Sequence, residues 1–188
     1  MSEVTRSMSG MTKTGGKSKV SEEEIREQIA ALASPLIDQR HEAISALRET
    51  GEPAIAPLIA FLVEAEDNDR RWYAAIALAK IGESAVAPLI AAMREQGNRE
   101  FRRYAAAALG EIGIPAIESL IAAMASEDKE LRGFLSQALC RIGMPAVEPL
   151  RQRLDDADEI IRSCATLTLW QMGEKGVPVI VEHAEKDE

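Results

Sequence analysis

A histidine followed directly by a glutamate stands at His41 and Glu42, inside the segment RHEAISALRETG. Near the start of a helix such a pair can supply half of an iron or zinc site, which needs three or more converging donors. The only other histidine is His183, near the end of the chain, and the two cysteines, Cys140 and Cys164, stand singly with no CxxC spacing. These residues predict no metal site, no disulfide framework and no catalytic residues. His41 is expected on the surface, in the first turn of its helix.

The elements that carry these residues follow from composition and periodicity. The chain has 188 residues, 46% of them hydrophobic and only 4% aromatic. That is enough apolar material for a core, and it is built from helix formers rather than strand formers. No segment approaches the roughly 18 consecutive apolar residues of a membrane span, and the N-terminus has no apolar stretch like a signal peptide's. A cytoplasmic, soluble, all-helical protein is the expectation. Residues 1–20 hold Arg6, Lys13, Lys17 and Lys19 against Glu3, or +3, so the other 168 residues carry −9 minus +3, or −12. An acidic body repels phosphate backbones, which argues against nucleic acid as a partner.

Glycines at 51, 82, 113, 143 and 173 each close a similar phrase, as in WYAAIALAKIG and RYAAAALGEIG, at spacings of 31, 31, 30 and 30. An arginine stands eleven residues before each: Arg40, Arg71, Arg102, Arg132 and Arg162. Apolar or small residues eight, five, four and one before the glycine, such as Ala74, Ala77, Leu78 and Ile81, make one helical stripe. The glycine then fits as a left-handed residue past the helix end, and Pro53, Pro115 and Pro145 fall where a second helix opens. Pro57, Pro88 and Pro149, six after the glycine, predict a kinked or tightened first turn.

The second helix carries its own stripe, four, seven, eight and eleven after the glycine: Val86, Leu89, Ile90 and Met93 in one copy, Ile117, Leu120, Ile121 and Met124 in the next. Projected backwards, this register places Ile25, Ile29 and Leu32 on a second helix lacking its first-helix partner, opened by a capping box of Ser21 and Glu24. Residues 1–20 show no periodicity and are expected to be a flexible tail. The fold class is therefore all-α: five helix pairs plus an N-terminal half-repeat, eleven helices over residues 21–188, wound as a right-handed alpha-alpha superhelix.

The phrase R-x-x-A-x-x-A-L-x-x-x-G followed by P-A-[IV]-x-P-L-I resembles the HEAT-like repeats first described in phycobilin lyases. Two enzyme classes share such repeats. Deoxyhypusine hydroxylase, which is similar in its repeats, holds iron through His-Glu pairs after the repeat arginine; His41 and Glu42 match that position. The other copies place Trp72 and Tyr73, Arg103 and Tyr104, Gly133 and Phe134, and Ser163 and Cys164 there, and none supplies the same ligands. The resemblance to the lyases implies a groove for a tetrapyrrole. Trp72, Tyr73, Tyr104 and Phe134 form an aromatic row for which packing between copies and contact with a partner are both open.

Two further rows belong to the repeat. The five arginines could clamp an anion, but Asp38, Asp69, Glu100 and Glu130 stand two residues before four of them, which favours a ladder bonded to neighbouring acids and loop carbonyls. On the second helices, positions five, nine and twelve after the glycine are left over by the core: Ala56, Ala60 and Val63, then Ala87, Ala91 and Arg94. They continue as Glu118, Ala122 and Ala125, then Glu148, Gln152 and Asp155, and end with Glu182 and Glu185. In solenoids of the kind this sequence resembles, second helices line the concave face. That face would be small at one end and acidic at the other, suited to a helix or extended peptide with basic residues. The expectation is a non-enzymatic scaffold or adaptor without cofactor that binds a protein there; the sequence leaves its oligomeric state open, with a monomer favoured. A lyase-like or chaperone-like carrier acting on a prosthetic group or its acceptor protein is the alternative.

Overall fold

Capping, periodicity and glycine spacing divide the chain where the sequence marks it. A computed structural model describes residues 20–186; the tail expected at residues 1–20 lies, but for Val20, outside the described residues. Among these, eleven α-helices follow one another: α1 (Glu22–Ala31), α2 (Ile37–Thr50), α3 (Ile55–Glu64), α4 (Asn68–Ile81), α5 (Val86–Glu95) and α6 (Arg99–Ile112). They continue as α7 (Ile117–Ala123), α8 (Lys129–Ile142), α9 (Met144–Arg151), α10 (Glu159–Gln171) and α11 (Val177–Lys186). The even-numbered helices are the first helices of the five pairs. Ser21 and Glu24 form the reciprocal capping box, and Ile25, Ile29 and Leu32 are buried beneath α1, which makes it the half-repeat.

Each repeat glycine has positive φ. At Gly51, Gly82, Gly113 and Gly143, φ is 72 to 89° and ψ is −134 to −142°. That ψ lies outside the left-handed helical well anticipated from the sequence, in a region that only glycine enters at low cost. The glycine N–H donates to the leucine carbonyl four residues back, and its own carbonyl accepts from an alanine three residues on: Ala54, Ala85, Ala116 and Ala146. These alanines are fully buried, so the second helix is entered through a tight turn. For α3, α5 and α7 that turn is a 3-10 segment, with Pro53 or Pro115 in two of the three; in α9, Pro145 falls inside the first α-turn. The chain direction changes by 120° across Gly82 and 119° across Gly113.

The fifth copy departs from this pattern. The position three after its glycine is Gly176, whose N–H donates to the carbonyl of Gly173 at 3.0 Å. A Cβ there would lie 2.0 Å from the Leu169 carbonyl oxygen, so the last turn closes against α10 only because no side chain intervenes.

One apolar cluster runs from Ile25 to Leu169. Both stripes supply it: Ala74, Ala77 and Leu78 on α4, then Val86, Leu89, Ile90 and Met93 on α5, are all buried. Phe101, in the first turn of α6, is fully buried, twelve residues before its glycine, where the next copies have Leu131 and the half-buried Ile161. First helices start on side-chain caps from Asp67, Asn98, Asp128 and Asp158, always fifteen residues before the glycine. At the equivalent position of α2 stands Leu36, with no side-chain cap. Such caps contribute about 0.5–2 kcal/mol each.

Neighbouring first helices lie close along much of their length, whereas second helices touch their counterparts sparsely. Small residues permit the close approach, including Ala75, Ala105, Ala106, Ala108 and Gly110. An open cleft of about 460 Å³ separates α3 from α5 on the second-helix side.

Candidate functional site

His41 and Glu42 are exposed on α2, in its second turn rather than the first, and among the described residues no three His, Cys, Asp or Glu side chains stand close enough to hold a metal ion. His183, the other histidine, lies with Nε2 3.1 Å from Asp155. Cys140 and Cys164 are unbridged, and burial pushes both thiols above their ordinary range, so neither is poised as a nucleophilic thiolate.

Four of the five repeat arginines turn back to carbonyls of the loop that precedes their helix. Arg40 bonds Ser34, Arg102 bonds Met93 and Gln96, Arg132 bonds Ser126, and Arg162 bonds Asp156 and Ala157. Arg102 is the most enclosed at 3% exposure, and it also reaches forward to Asp128 of the next copy at 2.7 Å. Arg40 lies 3.6 Å from Asp69 in the same sense. Arg71 breaks the series: its Nε is buried without a hydrogen-bond partner. The row is committed to joining layers, which leaves no open set of guanidinium groups to clamp an anion.

Asp128 caps α8, and its carboxyl is held below the usual range first by the Leu131 N–H and then by Arg102. Glu148 is lowered to about 2, chiefly by its hydrogen bond from Arg151. A carboxylate depressed in the folded chain contributes stability that is complete above its unfolded value, near 3.8 for Asp128 and 4.5 for Glu148, and is lost as pH falls toward the folded one. Both groups are well exposed, so solvent screens much of the effect. The urea midpoint is expected to stay level above pH ~5 and to fall below pH ~4. Asp128→Asn, which preserves a good cap but removes the charge facing Arg102, should give a shallower acid limb; an unchanged limb would refute that assignment.

The second-helix row is where the register places it. Ala56, Ala60, Ala87, Ala91, Glu118, Ala122, Glu148, Gln152 and Asp155 are all exposed, and Ala56, Ala60 and Ala91 line the cleft between α3 and α5. Its acids are not bare, however. Glu118 lies 3.1 Å from Arg153, Glu148 2.6 Å from Arg151 and Asp155 3.1 Å from His183, while Gln152 donates to Glu148 at 3.3 Å. A basic peptide arriving there would have to displace these internal partners.

The aromatic row separates by position. Tyr73 lies under the Arg40 guanidinium of the preceding copy at 4.6 Å, and Tyr104 stacks with Arg103 at 4.9 Å. Phe134, for which packing and partner contact were both open, is 7% exposed and belongs to the core. Trp72, one position earlier in the repeat, is 46% exposed.

Trp72 borders a feature that the sequence did not disclose: a cleft of about 360 Å³ running over three successive first helices. Its floor includes Ile76 and Ala79 of α4 and Ala107 of α6, with Lys80, Glu111 and Arg141 at the edge. The Arg141 stem crosses α6 over Gly110, where an added Cβ would lie 2.6 Å from Arg141 Cδ and 3.0 Å from its Cβ and Cγ. Gly110 gives up roughly 0.5–1 kcal/mol of helix propensity relative to alanine. Its absent side chain makes room for α8 and its arginine. The usable signal was the register ten, six and three before each glycine, which the core stripe leaves outside. In the last copy it holds Leu167 and Trp170, 58% and 66% exposed.

Stacked helix pairs with one repeated turn, one continuous core and a ladder of interlayer arginines define an α-solenoid. The chain belongs to the HEAT repeat family, matching HEAT repeats over residues 25–110, 86–170 and 117–188. Among solved structures, the complex of CpcE and CpcF of phycocyanin lyase from Nostoc sp. PCC7120 shares 23% identity at a TM-score of 0.38, over 92% of this chain and 72% of that one. A designed armadillo repeat protein in complex with the peptide (KR)4 shares 18% identity at a TM-score of 0.33, over 85% of this chain and 91% of that one. Comparison with curated protein sequences gives no match. Among the described residues no single helix is long and apolar enough to cross a membrane.

Proposed function

We propose that this HEAT-repeat chain is a non-enzymatic scaffold that binds another protein through an exposed helix face. The observation that carries the reading is large apolar surface left in water on a well-packed stack: both tryptophans of the chain, Trp72 and Trp170, are 46% and 66% exposed, at positions the core does not use. Solvent-exposed tryptophan on ordered helices is a recurrent anchor of protein interfaces. A carrier acting on a prosthetic group or its acceptor protein is the second reading, favoured by the size of the apolar cleft, which reaches the lower end of the roughly 300–1,000 Å³ of small-molecule pockets. A chromophore that purifies with the chain would select it.

The test is a tagged pull-down from the source organism with mass spectrometry. It is run beside a second-helix variant carrying Glu118→Lys, Glu148→Lys and Asp155→Lys. One protein recovered in near-stoichiometric amount by the parent chain supports the scaffold, and its loss from the folded variant assigns the second-helix row. Recovery of nothing specific removes the reading.

A further inference from the structure

We propose that the cleft over α4, α6 and α8 is a docking site for an amphipathic partner helix whose apolar face is flanked by acidic residues. The inference rests on the protein-binding reading above and names the face and the chemistry of the partner.

The apolar half of the argument is the cleft itself. Trp72, Ile76, Ala79 and Ala107 line it, and the Arg141 stem, laid across Gly110, borders its far side. At these outward positions the first copy has His41, Ser45 and Arg48 and the fourth has Gly133, Gln137 and Cys140, whereas the second has Trp72, Ile76 and Ala79 and the fifth Leu167 and Trp170; the cleft lies beside the second. The span from α4 to α8 is two layers, roughly 18–20 Å, which about 13 residues of helix would cover at 1.5 Å each.

Charge supplies the other half. At the cleft itself, Lys80 of α4 and Arg141 of α8 stand against Glu111 of α6, two cations less one carboxylate, or +1, on a chain of net charge −9. Lys80 and Arg141 stand at the edge of the cleft, with Arg141 3.5 Å from Glu111. Acidic groups beside an apolar anchor complement that edge, whereas a basic peptide is opposed there.

The experiment uses the full chain with Trp170→Phe, so that Trp72 alone reports. Two synthetic amphipathic peptides of about 14 residues share Leu and Phe at i, i+4 and i+7 and differ only in having Glu or Lys at every polar position. The Glu peptide is expected to shift Trp72 emission to the blue and to saturate, with the Lys peptide about tenfold weaker. A Lys80→Glu, Arg141→Glu variant, altered only at exposed side chains and checked for native helicity, is expected to reverse the preference. Equal response to both peptides, no response, or an unreversed preference overturns the proposal. A small anionic dye that saturates the Trp72 signal while the Glu peptide does not would reassign the cleft to a small ligand and overturn it too. A natural partner captured equally by the parent and the charge-reversed chain leaves the scaffold reading intact and removes this site alone.

Discussion

Arg102→Ala is expected to lower the unfolding free energy by about 3 kcal/mol, more than the same change at any other repeat arginine. Its Nε donates at 2.9 Å to the carbonyls of both Met93 and Gln96, and a terminal nitrogen donates to Asp128 at 2.7 Å. Removing the side chain strands two carbonyls beside the core and takes from Asp128 the cation it faces. The loss stays at the lower end for a buried ion pair because the Asp128 side chain keeps 40% of its surface in water. Arg102→Lys should recover little, since one ammonium cannot reach all three acceptors from a single position. Arg71→Met is the internal contrast: Arg71 Nε is already without a partner, so the change should cost least of the five. Urea denaturation followed by circular dichroism measures all three, and an Arg71 variant as damaged as the Arg102 variant would refute the account of the ladder.

The second large effect is at the adjacent residue. Phe101→Ala should cost about 3–5 kcal/mol through lost burial and the cavity left behind, because Phe101 is fully enclosed among the middle layers. Phe101→Leu tests whether volume or shape governs the site. The next copy uses Leu131 at the same register with 1% exposure, so leucine should be tolerated at a cost of about 1.5 kcal/mol or less. Thermal unfolding of both variants distinguishes the cases, and an alanine variant as stable as the leucine one would show that the layers collapse onto the vacancy.

Much of this fold was legible because the repeat states it five times. A glycine, a leucine four before it and an arginine eleven before it cannot recur together unless each copy folds alike, and the buried stripes of α4 and α5 are those the spacing marks. Where one position has two possible surroundings, the sequence was silent. Tyr73 and Phe134 share a register, yet Tyr73 meets an arginine of the previous copy while Phe134 sinks into the core. The acids Glu118, Glu148 and Asp155 lie on the predicted row; Arg151 is a local partner three residues from Glu148 in α9, but Arg153 and His183 come from a loop and a later copy and meet Glu118 and Asp155 only in the assembled stack. Spacing gives which residues share a face, not how closely neighbouring helices approach, because that depends on Gly110 and the alanines around it, whose smallness looks like ordinary helix propensity in the sequence.

The last described helix differs from the centre of the stack in a way that bears on recognition. The last helix, α11, has no fully buried residue, and Val177 and Val181, at stripe positions that are enclosed in the inner copies, are 36% and 50% exposed. Burial is therefore graded along the molecule, deepest across α4 to α8 and thinner toward α11, and in a stack stabilised by nearest-neighbour contacts the well-buried layers are the firm ones. A surface carried by the firm middle has already met the entropic cost of its own arrangement before any partner arrives. Association at the central layers then loses freedom chiefly on the partner's side, and selectivity follows from fit to a shape that does not adjust.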